Sequence, residues 1–314
     1  MTEPLTKARD LTHVRFAAPD LKEMARFLTA FGFANPAQTE ERLEAFGTAQ
    51  TYPIHLTEHA DEAGFRGFGL LVEDAALETL AAHDAAEIQT RTGSNAGRFV
   101  ALTDPDGFYV EAFAPAETAA KPMPRGPGWN EADQADRLNQ RLQIEPGPSH
   151  VKRLGHVVLN VRDFETSAQW YQSRFGLIRS DEIHMGDPDT VIGCFFRCDL
   201  GAVPSDHHTL FLLQGGEGKF EHAAFEVAGF NDLMAGHEHL KREGATHEWG
   251  VGRHILGSHI FDYWRDPWGH ELEHWTDGDR LDADAPAGRH GIETLLGTQW
   301  GEVHKMLRAS QPQA

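Results

Sequence analysis

Cysteine is scarce in this 314-residue chain, which carries only Cys194 and Cys198. Two are too few for a disulfide framework, and no second Cys/His pair follows at the spacing of a structural zinc site. At strand spacing they share one face of an extended segment and read as a buried, reduced pair. Basic charge is also short: 28 Lys and Arg against 48 Asp and Glu leave a formal net charge of −20. So acidic a surface repels phosphate backbones and anionic lipid, which argues against nucleic-acid and membrane partners. No apolar run approaches the roughly 18 residues of a membrane span. The opening MTEPLTKARD lacks the basic stretch and apolar run of a secretory signal, so a cytoplasmic location is expected. What remains is a globular composition, 40% apolar and 24% charged, long enough for two domains.

Histidine is plentiful instead, at 19 residues, and a repeat organises several of them. LTHVRFAAPDLKEMARFLTAFGF (11–33) matches LGHVVLNVRDFETSAQWYQSRFGL (154–177). Each copy has a strand with a His near its start, then an Asp opening an amphipathic helix that ends at Phe-Gly. In the second copy Phe164, Ala168, Tyr171 and Phe175 keep helical spacing on one face. Asp163 is placed to cap that helix and Gly176 to stop it, while Asp20 with Glu23 suggests a capping box in the first copy. Further on, DPDGFYVEAF (104–113) matches DPWGHELEHW (266–275), an Asp-Pro-x-Gly turn feeding a strand that carries a Glu. Two blocks repeated in the same order mean a duplicated domain.

The expected organisation is a first domain over 1–118, a connector over 119–150, a second domain over 151–276 and a tail over 277–314. The connector has Pro at 122, 124, 127, 146 and 148, and a short helix is expected over 130–142. The tail reads as loop, broken at Pro286, that folds back over the second domain.

In the second copy, His156 lies on GHVVLNV opposite the apolar face of Val157, Leu159 and Val161, and His222 lies on EHAAFEV opposite Ala223, Phe225 and Val227. Both imidazoles therefore point toward the interior of a curved sheet. Glu273 follows the Asp266–Gly269 turn on a third strand, with Glu271 competing on the same face. Two His and one carboxylate form the facial triad of non-haem Fe(II) oxygenases, which leaves coordination positions open on one side. The corresponding residues of the first copy are His13, Gly67 and Glu111. With its middle ligand replaced by glycine, that copy is expected to hold no metal.

GRHILGSHIFDYWRDPWGHELE (252–273) closely resembles the signature of type I extradiol ring-cleavage dioxygenases of the vicinal-oxygen-chelate superfamily, with Gly252, His254, Tyr263, Asp266, Pro267, Gly269 and Glu273 filling the pattern. The likeness extends over the duplication, DHHTLFLL (206–213) and EHAAFEV. It implies an α+β fold of two similar domains, each of two βαβββ modules whose curved mixed sheet closes around a cavity. It also implies Fe(II), or Mn(II), held by His156, His222 and Glu273. His208 would be the acid/base, and His254 and Tyr263 would contact substrate. Asp262 departs from the family, which usually has an aliphatic or aromatic residue there. Gly257 stands where some relatives carry an acid. His207, His259 and His270 take no role and read as structural.

The implied reaction inserts both atoms of dioxygen into a substituted catechol in aromatic-compound degradation, giving a muconic-semialdehyde type product. The segment looks most like the branch acting on alkyl-substituted or extra-hydroxylated catechols. Trp249, Trp264, Trp268 and Trp275 suggest an aromatic-lined cavity, and Arg265 fits a surface ion pair better than a substrate carboxylate. Partners are a small aromatic diol and dioxygen, and family members are usually homo-oligomers. Rival readings are a glyoxalase-like enzyme of the same superfamily and a metal-free protein that binds small molecules. Glyoxalase-like enzymes favour a Glu over the second His, and the intact triad with its surrounding His and Tyr argues against metal-free binding.

Overall fold

The computed structural model describes residues 3–118 and 128–306. The first half runs β1 (Asp10–Ala18), α1 (Leu21–Phe31), β2 (Ala34–Gln38), β3 (Arg42–Phe46), β4 (Pro53–His59), β5 (Gly64–Leu71), α2 (Ala76–Asp84), β6 (Ile88–Arg91), β7 (Gly97–Thr103) and β8 (Tyr109–Pro115). Two short strands follow, β9 (Asn130–Glu131) and β10 (Gln134–Ala135). The second half runs β11 (Val151–Val161), α3 (Phe164–Phe175), β12 (Ile178–His184), β13 (Val191–Arg197), β14 (Ser205–Asp206), β15 (Leu210–Gln214), β16 (Lys219–Val227), α4 (Phe230–Arg242), β17 (Thr246–His254), β18 (Ile260–Arg265) and β19 (Glu271–Thr276). The tail adds β20 (Arg280–Leu281), β21 (Gly288–Gly291), α5 (Ile292–Leu295) and β22 (Thr298–Gly301).

The duplication appears as identical strand order. The first sheet is β2-β3-β4-β1-β5-β8-β7-β6, and the second contains β12-β13-β15-β11-β16-β19-β18-β17. In each, the first strand pairs antiparallel with the strand that opens the second module, β1 with β5 and β11 with β16. Parallel pairs flank that seam on both sides. This is an α+β fold of paired βαβββ modules.

The helices form for the reasons their sequences give. Asp20 accepts from the Lys22 and Glu23 amides and Asp163 from the Thr166 amide, each satisfying amides that the helix start leaves free. Gly32 and Gly176 end α1 and α3 in the left-handed region, at φ 111° and 63°. Phe164, Ala168, Tyr171 and Phe175 are all buried. α3 leans on the first half: the Tyr171 hydroxyl donates to Asp104 and the Ser167 hydroxyl to Asp106. Reciprocally, the ring of Phe31 on α1 stacks on His274, whose Nε2 bonds the Phe31 carbonyl at 2.7 Å. The halves share one apolar core.

Two expectations are corrected. Residues 130–142 hold no helix; they form the β9–β10 ladder, with Ala132 at φ 47° in its turn. The side-chain carbonyl of Asn130 accepts from the Arg137 amide, and Leu138 stays 75% exposed. A helix here would have no apolar stripe to bury, and short helices do not persist without one. The part of the connector over 119–127 lies outside the described residues. The tail does return to the second half, but as strands rather than loop: β21 extends one edge of the sheet beside β12 and β22 the other beside β17. Open edges offer unpaired N–H and C=O groups, and the tail supplies partners for both.

Candidate metal centre and active site

The register of the second sheet brings the ligand candidates together. Across the β11–β16 seam His156 lies opposite Ala224 and Val158 opposite His222, so the two histidines sit diagonally on one face. Glu273 on β19 lies beside Ala224, and Tyr263 on β18 lies directly opposite Glu273. His156 Nε2 is 3.1 Å and His222 Nε2 is 3.4 Å from the same oxygen, Glu273 Oε2. The three donor atoms lie within 4.8 Å of one another.

The donor set fits a divalent cation on the state of its polar atoms. Glu273 is fully buried, yet its Oε1 has no hydrogen-bond partner, and neither has His222 Nε2. Buried polar atoms left unpaired are costly, and a shared metal is one way to satisfy them. Burial alone would raise the Glu273 carboxyl pKa. The His156 imidazole and then His222 reverse that and hold it well below the ordinary carboxylate range, so the group is an anion. His156 is lowered by burial and stays neutral, the form that ligates. Glu271, the competing carboxylate, is engaged with Arg265 at 2.6 Å.

The residues implied by the resemblance converge on the same point. His254 Nε2 lies 3.1 Å from the Tyr263 hydroxyl and 4.0 Å from Glu273 Oε1. Burial lowers His254 to about 4 and, with the Glu273 charge, raises Tyr263 well above its usual range. The rings of His208 and His156 are 4.0 Å apart, and burial, with four other imidazoles nearby, holds His208 well below the ordinary histidine range. Trp249 stacks on Tyr263 with centroids 5.3 Å apart, and Trp275 lies behind His259 at 4.4 Å. Trp264 differs from expectation: its indole points to the other side of the sheet, where it bonds Asp262. Arg265 is held between Glu248 and Glu271, each at 2.6 Å.

Two histidines set aside as structural belong to the centre. His259 lies 5.0 Å from His208 and 5.4 Å from His156 between ring centroids. His207 bonds His208 through their Nδ1 atoms at 3.1 Å, and its Nε2 meets Asp181 at 2.7 Å. Asp181 also holds His290 of the tail at 3.1 Å. As the carboxylate only accepts, His207 carries a proton on Nε2; in its singly protonated form its Nδ1 accepts from His208 Nδ1–H. The network thereby leaves the Nε2 lone pair of His208 free. Gly257 is part of this arrangement, because a Cβ there would come within 2.9 Å of His207 Nδ1. Only the adjacent His207-His208 pair was a signal in the sequence; Asp181 and His290 come from other strands.

A family model described as the Glyoxalase/Bleomycin resistance protein/Dioxygenase superfamily matches residues 153–274, the span of the whole site. Metapyrocatechase 2 of Cupriavidus necator is 31% identical over 304 residues, covering 95% of this chain and 90% of that protein. Among solved structures, the 2,3-dioxygenase LapB from Pseudomonas sp. KL28 superposes with a TM-score of 0.75 at 18% identity, covering 92% of this chain and 99% of that one. The Mn(II)-bound glyoxalase from Novosphingobium aromaticivorans gives 0.74 at 19% identity, covering 98% and 95%. The chain belongs to this superfamily and, within it, to the extradiol ring-cleaving dioxygenases.

Proposed function

We propose that the chain is an Fe(II)-dependent dioxygenase that opens a substituted catechol beside, rather than between, its two hydroxyls. Both atoms of dioxygen enter a muconic-semialdehyde type product, within aromatic-compound degradation. The observation that carries this is a buried carboxylate, Glu273, faced by three imidazoles and by no Lys or Arg among the described residues. His156, His222 and Glu273 would hold the ion, and the donor set suits Fe(II) and also accepts Mn(II). The ion would supply the Lewis acidity that lowers a catechol hydroxyl pKa and the redox capacity for reaction with dioxygen.

The chain's own residues do the rest. Glu273 supplies one negative charge and a singly deprotonated catechol the second, so a divalent ion is balanced. His208, with its Nε2 lone pair free, takes a hydroxyl proton and later returns it. Asp181 and His207 orient His208 and fix its tautomer. The Tyr263 hydroxyl, kept protonated by burial, donates to a substrate oxygen, and His254 steadies that hydroxyl from 3.1 Å. Trp249 and Phe261 form an aromatic wall behind this pair. In this reading residues 151–276 carry the chemistry, and residues 1–118 are scaffold.

The test is anaerobic reconstitution with Fe(II), followed by air and 3-methylcatechol or 2,4,5-trihydroxytoluene, recording oxygen uptake and visible absorbance. Uptake with a new visible band, absent in His222→Ala, is expected. Failure to bind iron would overturn the proposal.

A further inference from the structure

We propose that His237, His247 and Asp262 form a second metal site, able to hold a divalent cation such as zinc, on the reverse face of the catalytic sheet. His237 lies on α4, His247 on β17 and Asp262 on β18, so the cluster ties the helix to two strands. Asp262 is the residue that departs from the family's apolar preference, and it is fully buried.

The charge balance of the molecule singles this cluster out. Buried carboxylates here are otherwise satisfied in one of two ways. Glu111 has Arg15 and Arg91, and Glu182 has Arg179 and Arg289. Asp104 and Asp266 instead cap turns, each accepting two backbone amides. Among the described residues, two buried carboxylates have neither a guanidinium nor such a turn: Glu273 at the catalytic centre, and Asp262. A buried charge needs a counter-charge, and imidazole supplies one only when protonated.

Donor spacing agrees. His247 Nε2 is 2.9 Å and His237 Nδ1 is 3.1 Å from Asp262 Oδ1, close to the His-carboxylate separations at the catalytic centre. All three donor atoms lie within 4.8 Å of one another. On binding, each imidazole keeps its proton on the nitrogen facing away from the ion. The Trp264 indole N–H holds the other oxygen, Asp262 Oδ2, at 2.6 Å, leaving Oδ1 as the ligand. The His247 side chain is 28% exposed, which gives an entry path and room for a water as fourth ligand. Asp262 is the neighbour of Tyr263, so the ion would brace the strand that carries the substrate-facing hydroxyl.

Native mass spectrometry of the chelator-stripped full chain titrated with Zn(II) tests this, with circular dichroism as the control for folding. Wild type is expected to bind two equivalents, His222→Ala one and Asp262→Asn one, with none in the double variant. In the His222→Ala background, Zn(II) is expected to raise the melting temperature, and adding His247→Gln to abolish that rise. His247→Gln covers the case in which Asp262→Asn fails to fold, because the position is partly exposed. A second equivalent that survives Asp262→Asn or His247→Gln, or a His222→Ala protein that binds no zinc, overturns the second site. A His222→Ala protein that still binds two equivalents, one of them lost on adding Asp262→Asn, overturns the catalytic triad instead.

Discussion

The two halves bury the same carboxylate and satisfy it in opposite ways. In the first half Glu111 lies beside His13 as Glu273 lies beside His156, with His13 Nε2 at 3.2 Å. There Arg15 and Arg91 occupy the remaining oxygen positions at 2.6 to 3.0 Å. Register shows what changed: Arg15 lies opposite Gly67 where Val158 lies opposite His222. Gly67 is also fixed by its backbone, at φ 148° with a Cβ position 2.1 Å from the Tyr109 carbonyl oxygen. A histidine could not simply be restored there. Guanidinium charge satisfies Glu111, whereas among the described residues only imidazoles reach Glu273, which on the proposed reading leaves room for a cation.

The largest effect is expected from Glu273→Gln or His222→Ala, which remove a proposed ligand. Iron binding should be lost and kcat/KM should fall by about a thousandfold or more, measured by metal content and oxygen uptake. Next, Val158→Arg imports the first half's solution. A guanidinium beside Glu273 should displace the cation and abolish activity while the protein stays folded by circular dichroism. Glu111→Gln should do the reverse, leaving iron and activity per folded molecule intact. It takes from Arg91 its carboxylate partner and from Arg15 one of two, Glu58 remaining, and should cost about 3 kcal/mol in denaturant unfolding.

A smaller effect is expected at the His207 dyad. Asp181→Asn should keep iron but lower kcat by about tenfold and alter its pH profile, because His208 loses its fixed tautomer. The last prediction concerns acid stability of the metal-free protein. Burial lowers His55 to about 3, and His254 and His274 to about 4, so the unfolded chain takes up protons below about 6.5 that the folded one refuses. Stability should therefore fall as pH drops from about 6.5 to 4, by about 1.4 kcal/mol per pH unit for each such group. A flat urea midpoint across that window would contradict it.

Much of this was legible in the sequence because it is local. Helix caps, the Asp-Pro-x-Gly turns and strand alternation depend on neighbours within a few residues, and the repeat matched Gly67 to His222, as the register of the two sheets does. What lay beyond reach depends on register between distant strands. Arg15 looks like an ordinary polar residue of a strand until Arg91 and Glu111 meet it. Asp181 reaches His207 from β12 and His290 reaches Asp181 from β21, and Asp262 shows its environment only once α4 packs over β18. The connector misled for the opposite reason: its composition permits a helix, but no surface is there to bury one.

The most direct test of the central claim compares Fe(II)-reconstituted Glu111→Gln and Glu273→Gln with nitric oxide as a paramagnetic probe of iron with open coordination. A wild-type electron paramagnetic resonance signal in Glu111→Gln and none in Glu273→Gln is predicted. A signal that survives Glu273→Gln, or one lost in a folded Glu111→Gln, would contradict the account.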